Sequence, residues 1–273
     1  MMNEEAIHLL QQNDTIATIG NHITIAMENG EPVVLPDGYE LKDIERYLPN
    51  RRRLAGVLCT SDPEHFQRYC EQTTDAHPRI FVDAKEMQAT AVLNFGAVEE
   101  PGHGDNRAQL NFKKLAAFRA LLKVDGIAAS QRAIAEFLED WLPHITAYQA
   151  DSELQAKHVV AAVRNVDIEV ARKVENTVES LSESRSAFEQ VKASSKHVLP
   201  DIIEFRCEPY LGLQSRTFTL RLSVATNDSK PMLTLRIQNL ELHEQEMADE
   251  ACELIENMLG TTFPVFVGTY RSL

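Results

Sequence analysis

The side chains best able to do chemistry are concentrated in one acidic stretch, Leu240 to Leu259. It carries Glu241, Glu244, Glu246, Asp249, Glu250, Glu253 and Glu256. Glu246, Glu250 and Glu253 fall at i, i+4 and i+7, so a helix places them on one face. Grouped carboxylates can hold Mg²⁺, as a metal-dependent hydrolase requires, or attract a basic partner. The pattern suits a solvated acidic face equally, although like charges at i, i+4 are mildly unfavourable. His243-Glu244 opens like the zinc signature H-E-x-x-H, but Met247 stands where the second histidine belongs, and the motif fails.

Three other places invite a reading. Arg51-Arg52-Arg53 can clamp phosphates, with Arg46 and the stacking ring of Tyr47 nearby. They can also pair with surplus acids or protect a sheet edge. The loop Gly102-His103-Gly104-Asp105-Asn106-Arg107 holds groups fit for acid–base work, with no nucleophile or partner carboxylate in view. Pro209-Tyr210-Leu211-Gly212-Leu213 reads as a shaped turn between strands, and Tyr210 as a subunit contact. No phosphate-binding loop, dinucleotide fingerprint or nucleophile elbow occurs. The nine histidines are scattered. The reading therefore assigns no catalytic residue, no metal ligand and no cofactor, and favours binding over catalysis.

The elements that must position these residues follow from periodicity. Helices are expected over Asn3–Asn13, Leu41–Leu48, from a Ser61 cap to Gln72, over Lys113–Lys123, from a Ser130 cap to Leu142, and over Asp151–Val163. Strands are expected over Leu54–Thr60, Arg79–Asp83, Met87–Phe95, Arg107–Phe112, Ile202–Cys207, Thr217–Ala225 and Met232–Gln238. In the sixth of these Phe218, Leu220, Leu222 and Val224 alternate with Thr217, Thr219, Arg221 and Ser223. Leu240–Leu259 is a long amphipathic helix with Gly260 at C′. Asp14–Gly30 is ambiguous, Pro32–Gly38 reads as extended, and Val163–Leu181 suits either helix or strand. The order shows no βαβ alternation and no repeat, which predicts an α+β class: a mixed, largely antiparallel sheet with interspersed helices. The expected organisation is an N-terminal helical segment, 1–30, then α+β parts over 31–150 and 151–273, the latter two admitting one continuous domain.

Composition narrows the classes. The chain has 273 residues, 44% hydrophobic and 25% charged, as a globular core requires. Net charge is −14, from 41 acidic against 27 basic residues, which disfavours broad coating of DNA but not a local basic patch. Cys59, Cys70, Cys207 and Cys252 include no C-x-x-C pair, the opening residues are polar, and no run approaches the roughly 18 apolar residues of a membrane span. A cytoplasmic protein with free, mostly buried thiols is the expectation. The apolar tail of Phe263, Val265, Phe266, Val267 and Tyr270 needs a surface to cover, on its own subunit or a neighbour's, which predicts homo-oligomer contacts at Phe263, Phe266 and Tyr270.

Several segments carry a resemblance. They are Pro36 through Glu45, the F-x-x-Y spacing of Phe66 and Tyr69, and Ser130-Gln131 with Ala135-Glu136-Phe137-Leu138-Glu139-Asp140. Further on come Leu199-Pro200, Pro209-Tyr210-x-Gly212-Leu213, Arg216-Thr217-Phe218, and Lys230-Pro231 with Leu235-Arg236-Ile237. In order and spacing these resemble the YfdQ-like family of prophage proteins, over roughly Val33 to Glu250. Phe118 stands where that family commonly has tryptophan. The resemblance implies a phage or prophage origin, early non-virion gene neighbours and no known catalytic residue. The expected function is a phage accessory protein that binds and self-assembles, modulating nucleic-acid metabolism or host defence through a host or phage partner. The alternatives are a single-stranded nucleic-acid binder working through Arg51, Arg52 and Arg53, and the metal-dependent hydrolase.

Overall fold

The computed structural model describes residues 15–25, 35, 40, 42, 45–75, 77–149, 152–166, 199–200, 202–227 and 230–271. The helix expected over Asn3–Asn13, most of the extended piece 32–38, and the helix-or-strand stretch beyond residue 166 lie outside them. The chain divides into two compact units, Met1–Arg53 and Leu54–Leu273. In the first unit the described residues form a mostly exposed helix, α1, over 15–25, and a 3-10 turn at Glu45–Tyr47. That single turn is what the described residues show of the helix expected over Leu41–Leu48.

The second unit has an α+β fold built on two sheets. Its strands are β1 (Gly56–Thr60), β2 (Arg79–Asp83), β3 (Gln88–Val92), β4 (Asn106–Asn111), β5 (Ala128–Ser130), β6 (Ile145–Gln149), β7 (Ser152–Leu154), β8 (Ile202–Cys207), β9 (Arg216–Asn227), β10 (Lys230–Ile237) and β11 (Val265–Val267). Its helices are α2 (Pro63–Thr73), α3 (Ala116–Val124), α4 (Gln131–Asp140), α5 (Ala156–Arg164) and α6 (Leu240–Leu259). The first sheet runs β1-β4-β3-β2-β11 and the second β5-β10-β9-β8-β6-β7. The second is antiparallel throughout, whereas the first closes with parallel pairs at both ends, β1 with β4 and β11 with β2. Both sheets mix strands from either side of residue 150.

Strand alternation explains the core. In the first sheet Ile80, Val82, Ala89, Ala91, Ala108 and Leu110 share one face, and all are buried. Phe66 and Cys70 of α2, one helical turn apart, join them in one hydrophobic cluster with Ile255 and Leu259 of α6 and with Phe263. Each fully buried Phe or Leu contributes roughly 1.5–3 kcal/mol relative to an exposed one. In the second sheet Phe205, Phe218, Leu220, Leu233 and Leu235 are buried in the same cluster. Phe118 of α3 stacks on Phe218, ring centroids 5.1 Å apart.

Several boundaries depart from expectation for local reasons. The cap of α2 is Asp62 rather than Ser61: its Oδ1 accepts from the backbone N–H of Glu64 and His65, with Pro63 at the first helical position. The segment expected as a helix from Asp151 begins as strand β7 and turns helical only at Ala156. It follows β6, in which buried Ile145 and Ala147 alternate with the less buried Thr146 and Tyr148. Gly260 caps α6 with φ −60°, not in the left-handed conformation of a C′ glycine. Ser130 caps α4 as expected, accepting from Ala133 N–H. The tail strand is β11, laid parallel on β2.

Candidate functional site: the open face of the five-stranded sheet

The first sheet buries one side and leaves the other largely open. The open side carries Arg79, Phe81 and Asp83 from β2, Gln88 and Thr90 from β3, Arg107 and Gln109 from β4, Val57 and Cys59 from β1, and Phe266 from β11. Register brings Cys59, Gln109, Thr90, Phe81 and Phe266 into one row across all five strands. Phe81 is the centre of an aromatic group: Tyr270 stacks on it at 5.0 Å and 18°, Phe266 at 5.8 Å and 25°. Phe95 meets Phe81 at 6.0 Å and the edge of Tyr270 at 5.4 Å. The Arg79 guanidinium lies 4.8 Å from the Phe95 ring and 5.7 Å from Phe266, and Arg107 lies 5.9 Å from Tyr270. Arg79 Nε is enclosed with no hydrogen-bond partner among the described residues. Residues 268–271 pass over the sheet, and beneath them lies a groove of about 420 Å³ lined by Phe81, Asp83, Gln88, Arg107, Gln109 and Tyr270. That volume lies in the range of small-ligand sites.

The end of this face is shaped by the loop after β3. Asn94, buried, donates Nδ2–H to Asp105 Oδ1 at 2.8 Å, and its Oδ1 accepts the Asn106 backbone N–H at 3.0 Å. Asn106, also buried, donates Nδ2–H to Thr73 O. The loop folds back on itself through Gly102 N–H to Phe95 O and Gly104 N–H to Asn94 O. At Gly102 a Cβ would collide with Asn94 O, so only glycine fits. Arg107 Nε–H donates to Gly104 O at 2.5 Å, which ties the guanidinium beside Tyr270 to this loop. Asp83 serves the β2–β3 turn, its Oδ1 accepting from Lys85 and Glu86 N–H.

The residues singled out from sequence are distributed unevenly around this site. Arg51, Arg52 and Arg53 are exposed in the first unit, where Arg52 N–H donates to Glu45 Oε1 at 2.9 Å. Phe266 and Tyr270 meet on the open face. Phe263 is wholly buried in its own chain, and Tyr210 is buried against Phe118, its hydroxyl pKa raised by burial and by Glu244. Of the loop residues, Asp105 and Arg107 are engaged as above, and His103 is exposed. On α6, Glu246 and Glu250 are bound to Arg216 of β9 at 2.6 and 2.8 Å, and Glu250 Oε1 also accepts Gln214 N–H. A guanidinium thus sits where the sequence allowed a cation. No group of three or more His, Cys, Asp or Glu side chains among the described residues is placed to hold a metal ion.

Sequence reasoning missed Arg79, Phe81, Gln88, Thr90, Phe95 and Gln109. The available signal was alternation: in Arg79-Ile80-Phe81-Val82-Asp83 and Gln88-Ala89-Thr90-Ala91, small or aliphatic residues alternate with polar and aromatic ones. An aromatic on the polar side of a half-buried strand is the unusual feature.

These features define an α+β protein whose distinctive surface is an aromatic and arginine-bearing sheet face. Residues 3–270 match the family described as "Uncharacterized conserved protein (DUF2303)", and the chain belongs to it. No curated protein and no solved structure matches the chain. No helix among the described residues is long and apolar enough to cross a membrane.

Proposed function

We propose that this chain is a binding protein, not an enzyme, and that the open face of its five-stranded sheet is the surface it binds with. The observation that carries this is the cluster of Phe81, Phe95, Phe266 and Tyr270 rings with two guanidiniums on a side facing solvent, Phe266 being 43% exposed. Aromatic and arginine side chains are enriched in binding hot spots, the aromatics because they offer large contact area with few rotors to freeze and arginine because its planar fork makes several hydrogen bonds at once. The resemblance to YfdQ-like prophage proteins supports reading this activity as an accessory function in the cytoplasm of an infected bacterium, acting on nucleic-acid metabolism or host defence. Homo-oligomerisation is the second reading of this face: a second copy would occupy it through Phe266 and Tyr270, the contacts of the tail still open to a neighbour.

The test is affinity capture from host and infected-cell lysates with the intact chain and with Phe266→Ser, each with and without nuclease. A species retained by the intact chain and lost by the variant supports the face as the binding surface; identical capture by both refutes it. Light scattering on the purified chain gives the oligomeric state directly, and a monomer at every concentration removes the assembly part.

A further inference from the structure

We infer that the open sheet face binds single-stranded nucleic acid, with bases stacked on Phe266 and Tyr270 and phosphates held by Arg79 and Arg107; this rests on the reading that the face is where the chain binds.

Charge is the first argument. The chain carries 27 basic against 41 acidic residues. The face reverses the sign of that balance: it carries Arg79, Arg107 and Arg271, while Asp83 is occupied by backbone N–H groups of its own turn and Asp105, at the end of the face, accepts from Asn94. Screening over about 8 Å at physiological salt leaves the nearby arginines, not the distant net charge, to set the potential a phosphate meets.

Ring geometry is the second. Phe95, Tyr270, Phe81 and Phe266 form a path in which consecutive centroids are 5.4, 5.0 and 5.8 Å apart. Tyr270 covers Phe81 nearly parallel, so Phe81 backs Tyr270 and the rings left for a base are Tyr270 and the half-exposed Phe266. Gln88, Thr90 and Gln109 line the sheet among these rings and offer both donors and acceptors, which suits base edges without demanding one sequence. A mononucleotide needs one ring; two, Tyr270 and Phe266, held on either side of Phe81, favour a strand of at least two nucleotides.

Width excludes a duplex. Five strands at about 4.8 Å spacing make a surface roughly 19 Å across, against a major groove about 12 Å wide. The rings can reach only bases that are already unstacked.

The experiment is fluorescence anisotropy with the full chain and labelled 15-nucleotide mixed-sequence DNA and RNA single strands and the matching DNA duplex, across a salt series, with thermal melts of every variant. Single strands are expected to bind at low salt and the duplex at least about 10-fold more weakly. Two phosphate contacts give a slope of log affinity on log salt of about −1.4, and Arg79→Ala reduces it to about −0.7. Phe266→Ala, a half-exposed ring whose loss leaves the core intact, weakens binding roughly 5- to 150-fold, the range for one stacked base. Arg132→Ala, at an exposed position of α4, leaves binding unchanged. Ultraviolet cross-links from thymine fall on β2, β11 and the 268–271 segment.

Absence of single-strand binding at low salt overturns the proposal. If Phe266→Ser still abolishes capture in the lysate experiment, only the occupant is wrong and the face stands. Binding that ignores Phe266→Ala and Arg79→Ala and cross-links to Arg51–Arg53 overturns both readings. Displacement of the strand by free AMP or UMP at equal nucleotide concentration overturns it in favour of a mononucleotide site. Loss of a dimer on Phe266→Ala, with no effect on nucleic acid, overturns it in favour of a second copy on this face.

Discussion

Glu246 and Glu250 lie one helical turn apart on α6 and hold the same arginine, yet removing them should cost very different amounts. Glu246 is half exposed, so its 2.6 Å pair with Arg216 is screened, and Glu246→Ala is expected to cost about 0.2–1 kcal/mol. Glu250 and Arg216 are 18% and 17% exposed, and Glu250 also accepts the Gln214 N–H at 2.6 Å. A fully buried pair costs roughly 3–5 kcal/mol when one partner is removed. With the residual exposure discounted, Glu250→Ala and Arg216→Ala should each cost about 2 kcal/mol. Removing Glu250 and Arg216 together should cost less than their sum, with a coupling of about 1 kcal/mol. Urea unfolding read as midpoint shifts at constant slope measures all four quantities. Equal losses from Glu246→Ala and Glu250→Ala, or a coupling near zero, would refute the argument that burial ranks these carboxylates. The same titration bears on Mg²⁺: a cation that binds these carboxylates in the folded state raises the midpoint, whereas the bound guanidinium predicts no rise.

Other consequences follow from the loop and the thiols. Asn94→Ala leaves the Asn106 N–H without its side-chain acceptor in a buried site and should destabilise by roughly 1–3 kcal/mol in a thermal melt; a change below about 0.5 kcal/mol would sink the account of the loop. Gly102→Ala drives a methyl into Asn94 O and should cost about 1–3 kcal/mol while displacing Phe95 and Arg107, read as weakened binding at the sheet face. Burial pushes the Cys70 and Cys207 thiols up to about 12 from an ordinary 9.0, whereas Cys59 is exposed, so alkylation of the native chain at pH 8 should label Cys59 first and spare Cys70 and Cys207 until unfolding. Because those two pKa values are raised in the folded state, their contribution to stability is whole below pH 9 and is lost as pH rises from 9 towards 12. A stability that rises with pH across that window would contradict it.

Local physics made much of the fold legible. The strands Arg79–Asp83, Ile202–Cys207 and Thr217–Ala225 declare themselves by alternation. The helix Leu240–Leu259 shows its buried stripe of Met247, Ala251, Ile255 and Leu259 in its spacing, and Ser130 and Gly212 mark a cap and a turn. Each signal lies within a few residues of the structure it sets. The open face was not legible, because it is made by pairing that no local period encodes. Phe81 and Phe266 come from strands at opposite ends of the second unit and meet only because β11 lies parallel beside β2. Arg216 meets Glu246 and Glu250 only because α6 packs over the end of β9. Sequence thus decided which residues each strand turns inward and outward. Tertiary structure decided which outward residues became neighbours, because strand order is set by the shared burial of distant apolar faces and not by any segment alone.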